Sequence, residues 1–271
     1  MNRSNQEQHA AAGFSQLDLL TVIVVLVFLV LLLTPALART RVTDQALQCR
    51  DNLRQLMLGW RMFAEDNNNS LPNCFDWVGA GSLGYGWLNY QINNPDNTNV
   101  NHLVNGSLGP YVRNPVVYKC AADQSQALEG KLFLPRVRTF SMSQAFCPQD
   151  EGHLEDSKTN YWRHYLTSAD LVVPTPAKLW VMVDENPDSV NDGAFGVRID
   201  PYGVVWQDGP TTLHDGSCGF AFADGHVEMK KWTDARTLAL QVTYAQQFFY
   251  GMPQAHNKDI MWVQDRTTAP K

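Results

Sequence analysis

Gly13-Phe14-Ser15-Gln16-Leu17-Asp18 runs directly into residues 19–38, LLTVIVVLVFLVLLLTPALA, twenty positions without a charged side chain. Wound as an α-helix, that run is about 30 Å long, the thickness of a bilayer's hydrocarbon core. A helix apolar on all sides must be covered by lipid or by other apolar helices. The run therefore sets the organisation of the 271-residue chain, and leaves a remainder more polar than the overall 44% hydrophobic content suggests.

Three uses of the run compete. A secretory signal peptide would end at Ala36-Leu37-Ala38, the small-x-small form accepted for cleavage, and would leave Arg39 as the first mature residue. Its leader is poor for that purpose, because Arg3 is offset by Glu7 and Asp18. A plain single-pass anchor is the second use, although Arg3 before the run and Arg39 and Arg41 after it orient it weakly. The third use rests on the residues behind the run. Val42, Ala46, Cys49, Leu53, Leu56, Trp60 and Phe63 recur in steps of three and four on one helical face, with Arg50, Asp51, Arg54 and Glu65 on others. The spacing predicts one helix that continues to about Asp66 and is stopped by Asn67-Asn68-Asn69. A removable signal peptide has no need of that continuity.

The stretch from Gly13 to Asp18 and the run behind it resemble the processing site of type IV prepilins and type II secretion pseudopilins. The resemblance implies cleavage after Gly13, methylation of the new N-terminal Phe14, and an acidic membrane-edge position at Asp18. It also places Pro35 where many members have a helix-kinking proline. A carboxylate at the edge of an apolar helix is costly, roughly 2.5 kcal/mol or more if carried to the bilayer centre, and needs a partner. The charged amine of a neighbouring subunit's Phe14 would supply it and set the stagger between subunits. Asp18 stands where the family usually has glutamate.

The likeness extends along the chain. Cys49-Arg50-Asp51-Asn52-Leu53-Arg54-Gln55-Leu56, Ala64-Glu65-Asp66-Asn67-Asn68 and Leu71-Pro72 look like the helix end of a prepilin-like group whose C-terminal signature is H-x9-D-G. Here that signature is His214, Asp224 and Gly225. Tyr118-Lys119-Cys120-Ala121-Ala122-Asp123, Arg138-Thr139-Phe140-Ser141-Met142 and Val183-Asp184-Glu185-Asn186-Pro187-Asp188-Ser189 are also similar to that group.

The rest of the chain reads as β structure with irregular insertions. Eighteen Gly, fourteen Pro and eight Trp suit an ordered, loop-rich body. Residues 71–115 read as loops with a short helix near 101–111, and 179–183 as a buried strand. Residues 220–223 and 226–229 alternate on either side of Asp224-Gly225 and read as a tight hairpin. Residues 234–250 read as a final helix. The expected fold is α+β and pilin-like: a long N-terminal helix, half membrane-embedded and half amphipathic, packed on an antiparallel sheet. Its parts are a leader at 1–13, a membrane and assembly helix at 14–38, an amphipathic continuation at 39–66 and an extracytoplasmic head at 67–271.

Twenty-one basic against twenty-seven acidic residues, a formal charge of −6, argue against a nucleic-acid-binding surface. His214 with Asp224 and with Asp184-Glu185 could be read as acid–base machinery. Asp224, however, suits the turn for backbone reasons and His214 can brace the hairpin loop. No nucleophile elbow, phosphate-binding glycine loop or HExxH helix accompanies them, so no enzyme is expected. Asp184, Asn186, Asp188 and Asp192, with the Val190 carbonyl, place oxygens at positions 1, 3, 5, 9 and 7 of a loop, a pattern open to calcium or to a solvated acidic turn. Resemblance to pseudopilins, which often carry calcium in a late loop, points the same way. The five cysteines, Cys49, Cys74, Cys120, Cys147 and Cys218, include no CxxC pair, and their connectivity stays open. Cys49 on the apolar stripe reads as a small core residue.

The expected protein is a single-pass, bacterial inner-membrane prepilin-like subunit with its N-terminus cytoplasmic and its head periplasmic or extracellular. Its partners would be a prepilin peptidase and methyltransferase, sister subunits and the membrane itself, and the large head suggests a minor or tip subunit. The alternative is an extracytoplasmic binding or hydrolytic domain tethered by the same helix without forming filaments.

Overall fold

The computed structural model describes residues 16–79, 94–148, 161–199, 203–244 and 253–271, with backbone alone at residues 32–41 and Pro95. Gly13, Phe14 and the Pro35 side chain lie outside the described set. Two units divide the chain, Met1–Arg41 and Val42–Lys271.

Helix α1 (Gln16–Asp66) carries Asp18 in its first turn. In the first unit the apolar side chains of α1 stand at the surface, from Leu17 at 74% exposure to Leu31 at 64%. Among the described residues no helix is long and apolar enough to cross a membrane. The described side chains of the apolar run stop at Leu31, inside the stretch of residues 19–38 read from the sequence.

In the second unit the apolar stripe turns inward. Val42 is still exposed, and burial begins at Cys49 and continues through Leu53, Leu56, Met57, Trp60 and Ala64. This is the i, i+3, i+4 spacing of one helical face. The helix ends where Asn68 and Asn69 take φ values of 55° and 63°, a left-handed conformation that asparagine tolerates better than most residues. The Asn69 N–H then reaches back to the Ala64 carbonyl at 2.8 Å and satisfies one of the helix's last acceptors.

Two short helices, α2 (Asn101–Asn105) and α3 (Gly109–Val112), lie in the loop-rich stretch. A separate hairpin comes next, β1 (Gln126–Glu129) with β2 (Leu132–Pro135). The main sheet is built from β3 (Phe140–Ser143), β4 (Trp180–Asp184), β5 (Ala194–Phe195), β6 (Ser217–Phe222) and β7 (Val227–Lys231), in the spatial order β5-β3-β4-β6-β7. Every residue of β4 is buried, as expected for a central strand covered on both faces. Trp180 meets Phe195 and Phe220 edge to face, at 5.8 and 5.7 Å between ring centroids. Helix α1 lies against β6 at Gly219, where a Cβ would fall 2.7 Å from Leu53 Cδ1.

Three sequence expectations are corrected. The sheet is mixed, because β5 pairs with β3 in parallel, Met142 opposite Ala194 and Ser143 opposite Phe195. β4 is antiparallel to β3, so a chain that reverses after β4 and returns on the far side of β3 must run parallel to it. The hairpin between β6 and β7 closes over the longer loop Ala223-Asp224-Gly225-His226, in which Gly225 has φ 93°. The long final helix shrinks to α4 (Ala235–Leu238). After it Leu240 turns into the core, and the Thr243 and Tyr244 N–H groups bond to the Asp188 carboxylate, with Tyr244 at φ 56°. Residues 245–250 are outside the described set. A helix the sequence reading lacked, α5 (Lys258–Gln264), starts at Asn257, whose side chain accepts from the Asp259 and Ile260 N–H groups.

Cys74 and Cys147 form a disulfide, with Cα atoms 5.1 Å apart and a sequence separation of 73. The other three cysteines are free and buried.

Leu53→Ala should lower stability by about 2–5 kcal/mol in denaturant titration, because it removes side-chain volume where helix and sheet meet. Leu58→Ala, on the exposed side of the same helix at 61%, should change it by less than about 0.5 kcal/mol.

Candidate functional site

Asp184 is the last residue of β4, its Cα opposite Phe140 of β3 and its carbonyl accepting from the Thr211 N–H at 3.0 Å. Its side chain is fully buried and faces three others drawn from distant parts of the chain. Cys49 comes from α1. Cys120 follows the 3₁₀ turn Pro115–Tyr118 and is held by its N–H donating to Thr139 Oγ1 at 2.8 Å. His214 precedes β6 and is braced by the Ser217 N–H donating to its carbonyl at 3.1 Å, across the left-handed pair Asp215 and Gly216.

The four reactive atoms converge. His214 Nε2 is 3.1 Å from Cys120 Sγ and 3.2 Å from Asp184 Oδ2, and the Cys49 thiol donates to that same oxygen at 3.3 Å. All four lie within 4.8 Å of one another and all four residues are buried. Asp184 Oδ1 and His214 Nδ1 have no hydrogen-bond partner among the described residues. Behind the group, the Cys218 thiol donates to the Asp184 carbonyl at 3.1 Å. Burial pulls the imidazolium of His214 down, but the hydrogen bonds to Asp184 and Cys120 outweigh it and raise the group to about 10. Burial, with Cys120 and Asp184 adding to it, pushes the Cys49 thiol up.

The signature residues part company here. His214 enters the buried group and does not brace the hairpin loop, whereas Asp224 and Gly225 form the tip at the other end of β6. Asp224 Oδ1 accepts from the His226 N–H at 3.0 Å and lies 2.6 Å from His226 Nδ1. The nine-residue spacing therefore spans one strand and joins two separate sites.

The loop read as a possible calcium site is also divided. Asp184 belongs to the thiol and imidazole group, and Asn186 donates to the Leu240 carbonyl at 3.2 Å. Asp188 Oδ2 accepts from the Thr243 N–H and hydroxyl at 2.7 and 2.8 Å, and Asp192 Oδ1 accepts from the Ala194 N–H at 2.8 Å. Val190 is buried. Two buried arginines also reach the loop. Arg136 donates to the Pro187 carbonyl at 2.8 Å, and Arg138 donates to the Asp192 and Phe140 carbonyls and to Ser141 Oγ. The Ser141 hydroxyl in turn donates to Glu185, which also accepts from Ser189 at 2.8 Å. Burial lifts Glu185 to about 8 against the pull of Ser141, Arg138 and Ser189, while burial lowers Arg138 to about 10.

Sequence reasoning singled out Asp184 and His214 for other roles, and took Cys49 for a core residue. The grouping of Cys49 and Cys120 with them left no local spacing to find. No protein-family model matches the chain, and neither does any curated protein or solved structure.

Arg138→Ala should cost about 3–5 kcal/mol, because it strips donors from the Phe140 and Asp192 carbonyls and from Ser141 and removes the buried guanidinium that pulls Glu185 toward its charged form. Adding Glu185→Gln should recover part of that loss in the same denaturant titration.

Proposed function

We propose that this chain is a prepilin-like subunit, cut after Gly13, methylated at Phe14 and assembled through its apolar N-terminal helix. The observation that carries the reading is the apolar surface of α1: large apolar side chains between Leu17 and Leu31 are exposed on a helix described from Gln16, within the motif. An uncovered apolar surface of that kind needs lipid or sister helices, at about 25 cal/mol for each Å² covered. In this reading residues 19–38 sit in the bacterial inner membrane until assembly moves them among identical helices. Asp18 pairs with the Phe14 amine of a neighbouring subunit. The head works outside the cytoplasm as a structural, non-enzymatic part, for which the Cys74–Cys147 disulfide is a second support, since disulfides persist in oxidising compartments.

Mass spectrometry of the mature protein from its native host should find a chain beginning at methylated Phe14. A start at Met1 or at Arg39 overturns the reading. In the assembled system Asp18→Ala should insert into the membrane like the parent and fail to enter filaments; unaltered incorporation rejects the charge pairing.

A further inference from the structure

We propose that Cys49, Cys120, Asp184 and His214 bind one zinc ion, which fastens α1 to the β-sheet of the head. The inference is independent of the assembly reading, because it rests on the second unit alone.

The donor set points to the metal. Thiolate sulfur, imidazole nitrogen and carboxylate oxygen are the ligand types zinc takes, and four of them fill a tetrahedron. With bonds of about 2.0 Å to nitrogen and oxygen and 2.3 Å to sulfur, the edges of that tetrahedron are roughly 3.3–3.8 Å. The observed separations of 3.1, 3.2 and 3.3 Å, with every pair inside 4.8 Å, place the four atoms around a common centre at nearly that size. Only small outward movements of the side chains would admit the ion.

A hydrogen-bonded cluster accounts less well for the same atoms. His214 Nε2 faces Cys120 Sγ and Asp184 Oδ2 at once, and a single ring nitrogen cannot serve both well with one proton. Asp184 is fully buried with no lysine or arginine partner among the described residues, and its Oδ1 has no hydrogen bond. His214, its one ion-pair partner among the described residues, is shared with Cys120, and a divalent ion would meet the carboxylate directly and remove the conflict at Nε2.

The site is of the structural kind. Four protein ligands leave no open position for water or substrate, and all of them are buried. On binding, the Cys49 and Cys120 thiols each release a proton to solvent as a sulfur–zinc bond forms. His214 also gives up the proton on Nε2 to solvent and keeps the one on Nδ1, and Asp184 binds through its carboxylate oxygen. The ion would join α1, the segment after Pro115–Tyr118, the end of β4 and the approach to β6, so that metal binding becomes folding free energy. It would also keep two neighbouring thiols from oxidising to each other in a chain that already holds the Cys74–Cys147 disulfide.

The test uses the full-length chain in detergent, purified through a tag without histidines. Elemental analysis should find about one zinc per chain, and Cys120→Ser, Asp184→Asn and His214→Gln should each lower occupancy roughly tenfold or more. Cys218→Ser, outside the ligand set, should keep the metal. Cobalt added to metal-stripped protein should give the intense visible bands of a tetrahedral thiolate complex, lost in Cys49→Ser. If the variants do not fold, the parent protein alone decides. No stoichiometric zinc and no cobalt bands, or a Cys49–Cys120 disulfide in a non-reducing peptide map, would overturn the proposal.

Discussion

Helix α1 can lie directly on the sheet because β6 has no side chain at Gly219. A Cβ there would fall 2.7 Å from Leu53 Cδ1 and 3.6 Å from Cys49 Sγ. That close approach brings the stripe from Cys49 to Ala64 onto the sheet, and protein interiors tolerate little change in such a gap. The rest of the head depends on this contact. β4 is buried on both faces, and Cys49 is carried down to the level of the Asp184 carboxylate.

The end of β4 is where the interior turns polar. Asp184 and Glu185 are consecutive, fully buried and carry acidic side chains with different surroundings. Successive residues on an extended strand point to opposite faces, so the two carboxylates diverge. Asp184 meets thiols and an imidazole, whereas Glu185 meets serines backed by Arg138. The two carboxylates are therefore served by different routes. One uses fixed guanidinium groups, and the other is open to a metal. In the acidic loop after β4, backbone N–H groups reach Asp188 Oδ2 and Asp192 Oδ1, while the two arginines bind the Pro187 and Asp192 carbonyls.

The legible parts of the fold were the local ones. The buried stripe of α1, its stop at the asparagines, the buried strand around Val181 and the turn at Gly225 each show in a window of a few residues. The parallel pairing of β5 does not, because it depends on which side of β3 the returning chain takes. Helix α4 was overdrawn for a similar reason. Past its end the Asp188 carboxylate, 55 positions away from Thr243, holds the Thr243 and Tyr244 N–H groups in a non-helical turn.

From residue types and spacing alone came the apolar run, the amphipathic stripe behind it and the α+β class, since periodicity and turn chemistry act between near neighbours. Tertiary structure decided which distant side chains meet. Cys49 and Asp184 are 135 positions apart, Cys120 and His214 are 94 apart, and His214 and Asp184 are 30 apart. Four residues on four segments share no local period, and only packing the helix onto the sheet brings their reactive atoms to one point.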